Sequence, residues 1–121
     1  MSDSAGKRVL LVEDEPIVAI ALQDMLDELG YVVVGPAFRL PAALELAETA
    51  SLDAAILDVN MGEGHSYGVA ERLRKRGIPY VFATGYGAAG LEPGHEDAPV
   101  LQKPYREAQV ADALWKLIGG R

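Results

Sequence analysis

Two short apolar runs that stop abruptly at acids constrain this chain more than any other feature. Val9-Leu10-Leu11-Val12 ends in Glu13-Asp14-Glu15, and Ala54-Ala55-Ile56-Leu57 ends at Asp58. Runs this short, without polar alternation, suit strands buried on both faces, and each acid marks where a strand emerges into solvent. Tyr31-Val32-Val33-Val34, closed by Gly35-Pro36, then Tyr80-Val81-Phe82-Ala83-Thr84 and Val100-Leu101-Gln102 read as three more strands. Helical spacing fills the intervals. Pro16 opens a helix carrying Val18, Leu22, Met25 and Leu29 up to Gly30, and Leu40, Leu44 and Ala47 mark a second that opens near Pro41. Tyr67, Ala70 and Leu73 suit a third, ending at Gly77 with Arg72, Arg74, Lys75 and Arg76 at its negative pole. Val110, Leu114, Leu117 and Ile118 form the stripe of a last helix. The helix expected between strands four and five is weak, because Gly85, Gly87, Gly90, Pro93, Gly94 and Pro99 leave room for at most a short turn around Gly87 to Leu91.

Strands alternating with helices predict an α/β domain, since parallel neighbours need crossovers and helices supply them. For five parallel strands the order 2-1-3-4-5 is a common one. The 121 residues fit a single domain over 1–121 with no output domain, repeat or linker. A hydrophobic share of 50% supplies a core. The net charge of −7 repels phosphate backbones and anionic lipids, so neither nucleic acid nor a membrane is an expected partner. With no cysteine, disulfides, thiolate metal sites and thiol catalysis are excluded. No signal-peptide core or run of apolar residues long enough to span a bilayer is visible, and the expected compartment is the cytoplasm.

In open α/β sheets ligands bind beyond the carboxyl ends of the strands where the strand order reverses, here between strands one and three. Glu13 and Asp14 leave strand one there and Asp58 leaves strand three, so three carboxylates converge in one crevice. Two unit charges about 4 Å apart repel by roughly 4 kcal/mol at an effective dielectric near 20, so such a trio implies a cation. Hard oxygen donors without histidine or cysteine point to Mg²⁺. Glu15 instead reads as a solvated acid at the start of the first helix. Lys103, just before Pro104, and Thr84 end strands five and four on the same edge and suit phosphate contacts. With Mg²⁺ bound the site is about neutral, and a phosphoryl group on a carboxylate takes it to roughly −1.

Taken together, Val12-Glu13-Asp14-Glu15, Leu57-Asp58-Val59-Asn60-Met61, Ala83-Thr84-Gly85 and Gln102-Lys103-Pro104-Tyr105 resemble, in order and spacing, the motifs of receiver domains of two-component response regulators. The resemblance spans nearly all of Arg8 to Ile118 and implies a flavodoxin-like three-layer sandwich. It implies that Asp58 accepts a phosphoryl group from a sensor histidine kinase or phosphotransfer protein, becoming a 4-aspartylphosphate. It implies that Asp14, Asp58 and the Asn60 carbonyl bind Mg²⁺ directly, that Glu13 acts mainly through water, and that Thr84 and Lys103 hold the phosphoryl oxygens. A cis Lys103-Pro104 peptide is implied as well. The phosphorylated state would then either signal to a partner or drain phosphoryl groups as a sink.

Two departures narrow the subfamily. Where typical receivers have an aromatic three residues before the lysine, this chain has Val100. Phe82-Ala83-Thr84-Gly85-Tyr86 resembles the signature of FATGUY receivers, mostly stand-alone proteins paired with kinases of the HWE or a related class. Tyr86 is therefore the candidate switch that follows Thr84 toward a new charge, its alternative being an aromatic packed at the sheet edge. The face of strand five and the last helix, beside Trp115, is the candidate partner surface.

Other patterns fail. Gly85-Tyr86-Gly87-Ala88-Ala89-Gly90 matches a dinucleotide fingerprint but follows the wrong strand and lacks the acid about 20 residues on. Asp58-Val59-Asn60 begins like a calcium loop, but Glu63 stands where glycine is required. His65 and His95, on polar loops without spaced partners, are expected to be solvated. A small Mg²⁺-dependent phosphatase with Asp58 as nucleophile is the alternative function, weakened by Asn60 where such enzymes place a second acid. A flavin carrier lacks its hydroxyl-rich phosphate loop after strand one.

Overall fold

The computed structural model describes residues 6–85, 91–95 and 97–119. The elements run β1 (Arg8–Val12), α1 (Pro16–Glu28), β2 (Val32–Ala37), α2 (Leu40–Thr49), β3 (Ala54–Asp58), α3 (Tyr67–Lys75), β4 (Tyr80–Thr84), β5 (Val100–Gln102) and α4 (Glu107–Ile118). The sheet is parallel throughout in the order β2-β1-β3-β4-β5, the flavodoxin-like arrangement. The short helix expected at Gly87 to Leu91 falls largely outside the described residues.

Alternate residues of the central strands face opposite helix layers. Val9, Leu11, Ile56, Val81, Ala83 and Leu101 pack against Leu22 and Leu26 of α1 and Val110 and Leu114 of α4. Leu10, Val12, Leu57 and Phe82 pack against Ala43 and Ala47 of α2 and Val69, Ala70 and Leu73 of α3. All five residues of β3 are buried, as two-sided coverage requires. The helix stripes are centred on smaller residues than periodicity alone places there. In α1 the buried line is Ala19, Leu22 and Leu26, with Val18, Met25 and Leu29 half-buried at its margins; in α2 it is Ala43 and Ala47, with Leu40 and Leu44 half-buried. Alanine lets each helix axis approach the sheet closely, and the longer side chains then splay around the contact. In α4, likewise, Leu117 and Ile118 are half-buried.

Strand β2 corrects a boundary. Gly35-Pro36 does not close it; the strand continues to Ala37 through a register shift opposite Leu10 and Val12 of β1. Gly35 makes the shift feasible, because its φ is +98° and a Cβ on it would lie 2.7 Å from Ala37 N and 3.1 Å from Leu11 O. Pro36, which has no N–H to donate, is tolerated because β2 is an edge strand. The extension brings the Ala37 carbonyl within 3.0 Å of Glu13 N, fixing the backbone at the end of β1.

Candidate functional site

The ends of β1, β3, β4 and β5 are tied into one rim. Val59 N donates to Ala83 O at 3.1 Å, and Lys103 N donates to Thr84 O at 3.0 Å. On this rim Glu13, Asp58 and Thr84 are buried, at 1%, 5% and 3% exposure, while Asp14 is half-exposed. Carboxylate oxygens of Glu13, Asp14 and Asp58 lie within 4.8 Å of one another. The Lys103 ammonium lies 3.3 Å from Glu13 Oε1 and 3.3 Å from Asp58 Oδ1. Glu13 Oε2 accepts a hydrogen bond from Glu15 N at 3.2 Å, and the buried Oε1 faces the Lys103 ammonium.

The charges are therefore unbalanced. One ammonium is set against three carboxylates, in contact with two of them, and the cost shows in the titration of the group at the centre. Burial, and after it the charge of Glu13, push the Asp58 carboxyl up to about 7 against the opposing pull of Lys103. Burial alone would lower the Lys103 ammonium, but Asp58 and Glu13 outweigh it and hold that group above its usual value. Burial also raises the Tyr105 phenol well above its usual range, aided by the charges of Glu13 and Asp58. A divalent cation fits this donor set. The carboxylates are hard oxygen ligands, no histidine or cysteine joins them among the described residues, and a single ammonium leaves their combined charge uncompensated.

Of the residues singled out in the sequence, Glu13, Asp14, Asp58, Thr84 and Lys103 are thus brought to one edge. Asn60 is exposed two residues beyond Asp58, in an isolated antiparallel bridge with His65. Lys103-Pro104 is cis. Tyr86 lies outside the described residues.

Two further residues belong to the site without a role assigned from the sequence. Tyr105 lies against Glu13, and the signal for it was its place directly after Lys103-Pro104. Gly62 brings the loop after β3 onto Asp14. One of the two histidines expected to be solvated needs correction, His95. His65 is exposed as expected, its ring 5.8 Å from that of Tyr67. His95 is not a solvated loop side chain: its ring packs 4.4 Å from Tyr67 and 5.9 Å from Phe82, with Nδ1 buried. Both rings come from elements distant in sequence, so no local pattern announces the contact.

The profile of the response regulator receiver domain matches residues 9–114, nearly the whole described chain. The chain belongs to that family. Among curated relatives, the transcriptional regulatory protein PdtaR of Mycobacterium tuberculosis is 32% identical over 109 residues, covering 89% of this chain and 53% of PdtaR. The chain spans about half the length of the curated relatives it matches. Among solved structures, SdrG from Sphingomonas melonis Fr1 is 45% identical with a TM-score of 0.81, covering 94% of this chain and 98% of SdrG. The receiver domain of the sensor histidine kinase PA1611 from Pseudomonas aeruginosa, with a magnesium ion in its active-site cleft, is 26% identical with a TM-score of 0.79, covering 95% of this chain and 99% of that one. No helix among the described residues is long and apolar enough to cross a membrane.

Proposed function

We propose that this receiver domain takes a phosphoryl group onto Asp58 from a phosphohistidine of a sensor kinase or phosphotransfer protein. The observation that carries the reading is the Lys103 ammonium held 3.3 Å from both Glu13 and Asp58, beside a carboxylate trio with oxygens within 4.8 Å. An Asp58 carboxylate oxygen attacks phosphorus, a P–O bond forms, and the P–N bond breaks with its electron pair returning to the imidazole of the donor. Lys103 stabilises the ionised form of Asp58 needed for attack and then receives a phosphoryl oxygen, with the Thr84 hydroxyl taking another. Burial of Asp58 limits the access of water to the acyl phosphate.

Asp14, Asp58 and the Asn60 carbonyl are the residues assigned to Mg²⁺, with Glu13 acting through water. When bound, the ion supplies positive charge between the carboxylates and the incoming phosphoryl oxygens. The magnesium-bound PA1611 receiver supports this assignment by likeness.

The run Phe82-Ala83-Thr84-Gly85-Tyr86 supports a FATGUY-type receiver served by a kinase of the HWE or a related class, with the cytoplasm as the proposed compartment. For readout, Tyr86 is the proposed switch, and the face of β5 and α4 the proposed partner surface, where Trp115 is 46% exposed. Transfer from a panel of labelled histidine kinases tests the reading, with Asp58→Asn as control. Label appearing equally on that variant refutes it.

A further inference from the structure

Gly62 stands in the loop between β3 and α3 with φ at +75°, and a Cβ placed on it would lie 3.0 Å from Asp14 Oδ2, with nothing else within 4 Å. The loop around it cannot easily retreat. Met61 is 1% exposed, Met61 N donates to Gly64 O at 2.8 Å, Glu63 N to Met61 O at 2.7 Å and Ser66 N to Val59 O at 3.1 Å. Glu63 Oε2 additionally accepts from Leu40 N at 3.2 Å, pinning the loop to the start of α2. Asp14, half-exposed, is the partner free to give way. We propose that Gly62 is a positioning residue for the divalent-cation site: by carrying no side chain it lets a pinned loop approach Asp14 while the Asp14 carboxylate stays within reach of Glu13 and Asp58. The inference rests on the reading of Glu13, Asp14 and Asp58 as that site.

Backbone strain and crowding are separable here. Gly77 has nearly the same φ, +72°, with nothing within 4 Å of a Cβ, so Gly77→Ala carries the strain without the contact. Gly62→Asn, conversely, keeps a Cβ against Asp14 while better tolerating the left-handed conformation. Mg²⁺ affinity is measured by amide chemical-shift titration of wild type, Gly62→Ala, Gly62→Asn and Gly77→Ala, with melting temperature recorded in metal-free buffer. The expected result is a Kd for Mg²⁺ raised by about tenfold or more in both Gly62 variants, the range typical for disturbing a ligand's support. Gly77→Ala should bind like wild type although it melts earlier. Wild-type affinity in either folded Gly62 variant, or an equal loss in Gly77→Ala, overturns the inference and leaves the cation site standing. Failure of the wild type itself to bind overturns both.

Discussion

The ammonium of Lys103 sits 3.3 Å from Asp58 Oδ1, joining the end of β5 to the end of β3 across the intervening β4. Lys103 keeps 24% side-chain exposure while Asp58 is nearly closed off, so the pair is reached from solvent through the lysine side. Replacing Lys103 with Met removes the only cation facing Glu13 and Asp58 among the described residues. We expect a loss of about 3 kcal/mol at pH 8 without metal, the low end for breaking a buried pair. Chemical denaturation checks this, and an unchanged midpoint would contradict it.

Metal should offset the carboxylate repulsion. A ligand that binds only the native state adds about 2.7 kcal/mol at a concentration of 100 Kd. The melting temperature of the wild type should therefore rise with Mg²⁺, and Asp14→Ala should abolish most of that rise. An equal rise in the variant would remove Asp14 from the site.

The raised Asp58 carboxyl sets a pH dependence whose sign is opposite to the usual one for an acid. Its value is about 7 in the folded protein against 3.8 for an ordinary aspartate, so between those values the native state holds a proton that the unfolded chain has released. Metal-free stability is favoured by this group below about pH 4 and declines as pH rises through 7. Asp58→Asn should flatten that decline and melt higher than wild type at pH 8. In the wild type, Mg²⁺ binding should weaken as pH falls below 7, because a proton competes for the same carboxylate. Parallel melting curves for the two proteins across pH 5 to 8 would refute the assignment.

Tyr67 ties the segment before β5 to α3: its hydroxyl accepts a hydrogen bond from Glu92 N at 2.8 Å, and its ring stacks on His95. Tyr67→Phe keeps the ring and removes the acceptor. We expect a loss of about 1 kcal/mol and faster amide exchange at Glu92. Exchange at wild-type rates would show that the bond does not hold the segment.

The parts legible in the sequence are those where local pattern and tertiary environment agree. β1 and β3 announce themselves because burial on both faces demands unbroken apolar runs, and the acids that end them lie at the reversal of strand order. The extension of β2 past Gly35 was not legible, because it depends on a slip of register against Leu10 and Val12. Helix stripes were displaced toward Ala19 and Ala43, since periodicity weighs large side chains while close packing selects small ones. His95 is placed by contacts with Tyr67 and Phe82 that no spacing along the chain encodes, whereas the contact of Tyr105 with Glu13 had a signal only in its position after Lys103-Pro104.

The account turns on Asp58 as the sole phosphoryl acceptor. Intact mass after treatment with acetyl phosphate and Mg²⁺ tests this most directly. A single phosphoryl adduct, about 80 Da, is predicted for the wild type and none for Asp58→Asn, at a site built as an oxygen nucleophile beside a lysine. An equal adduct on Asp58→Asn would contradict the account.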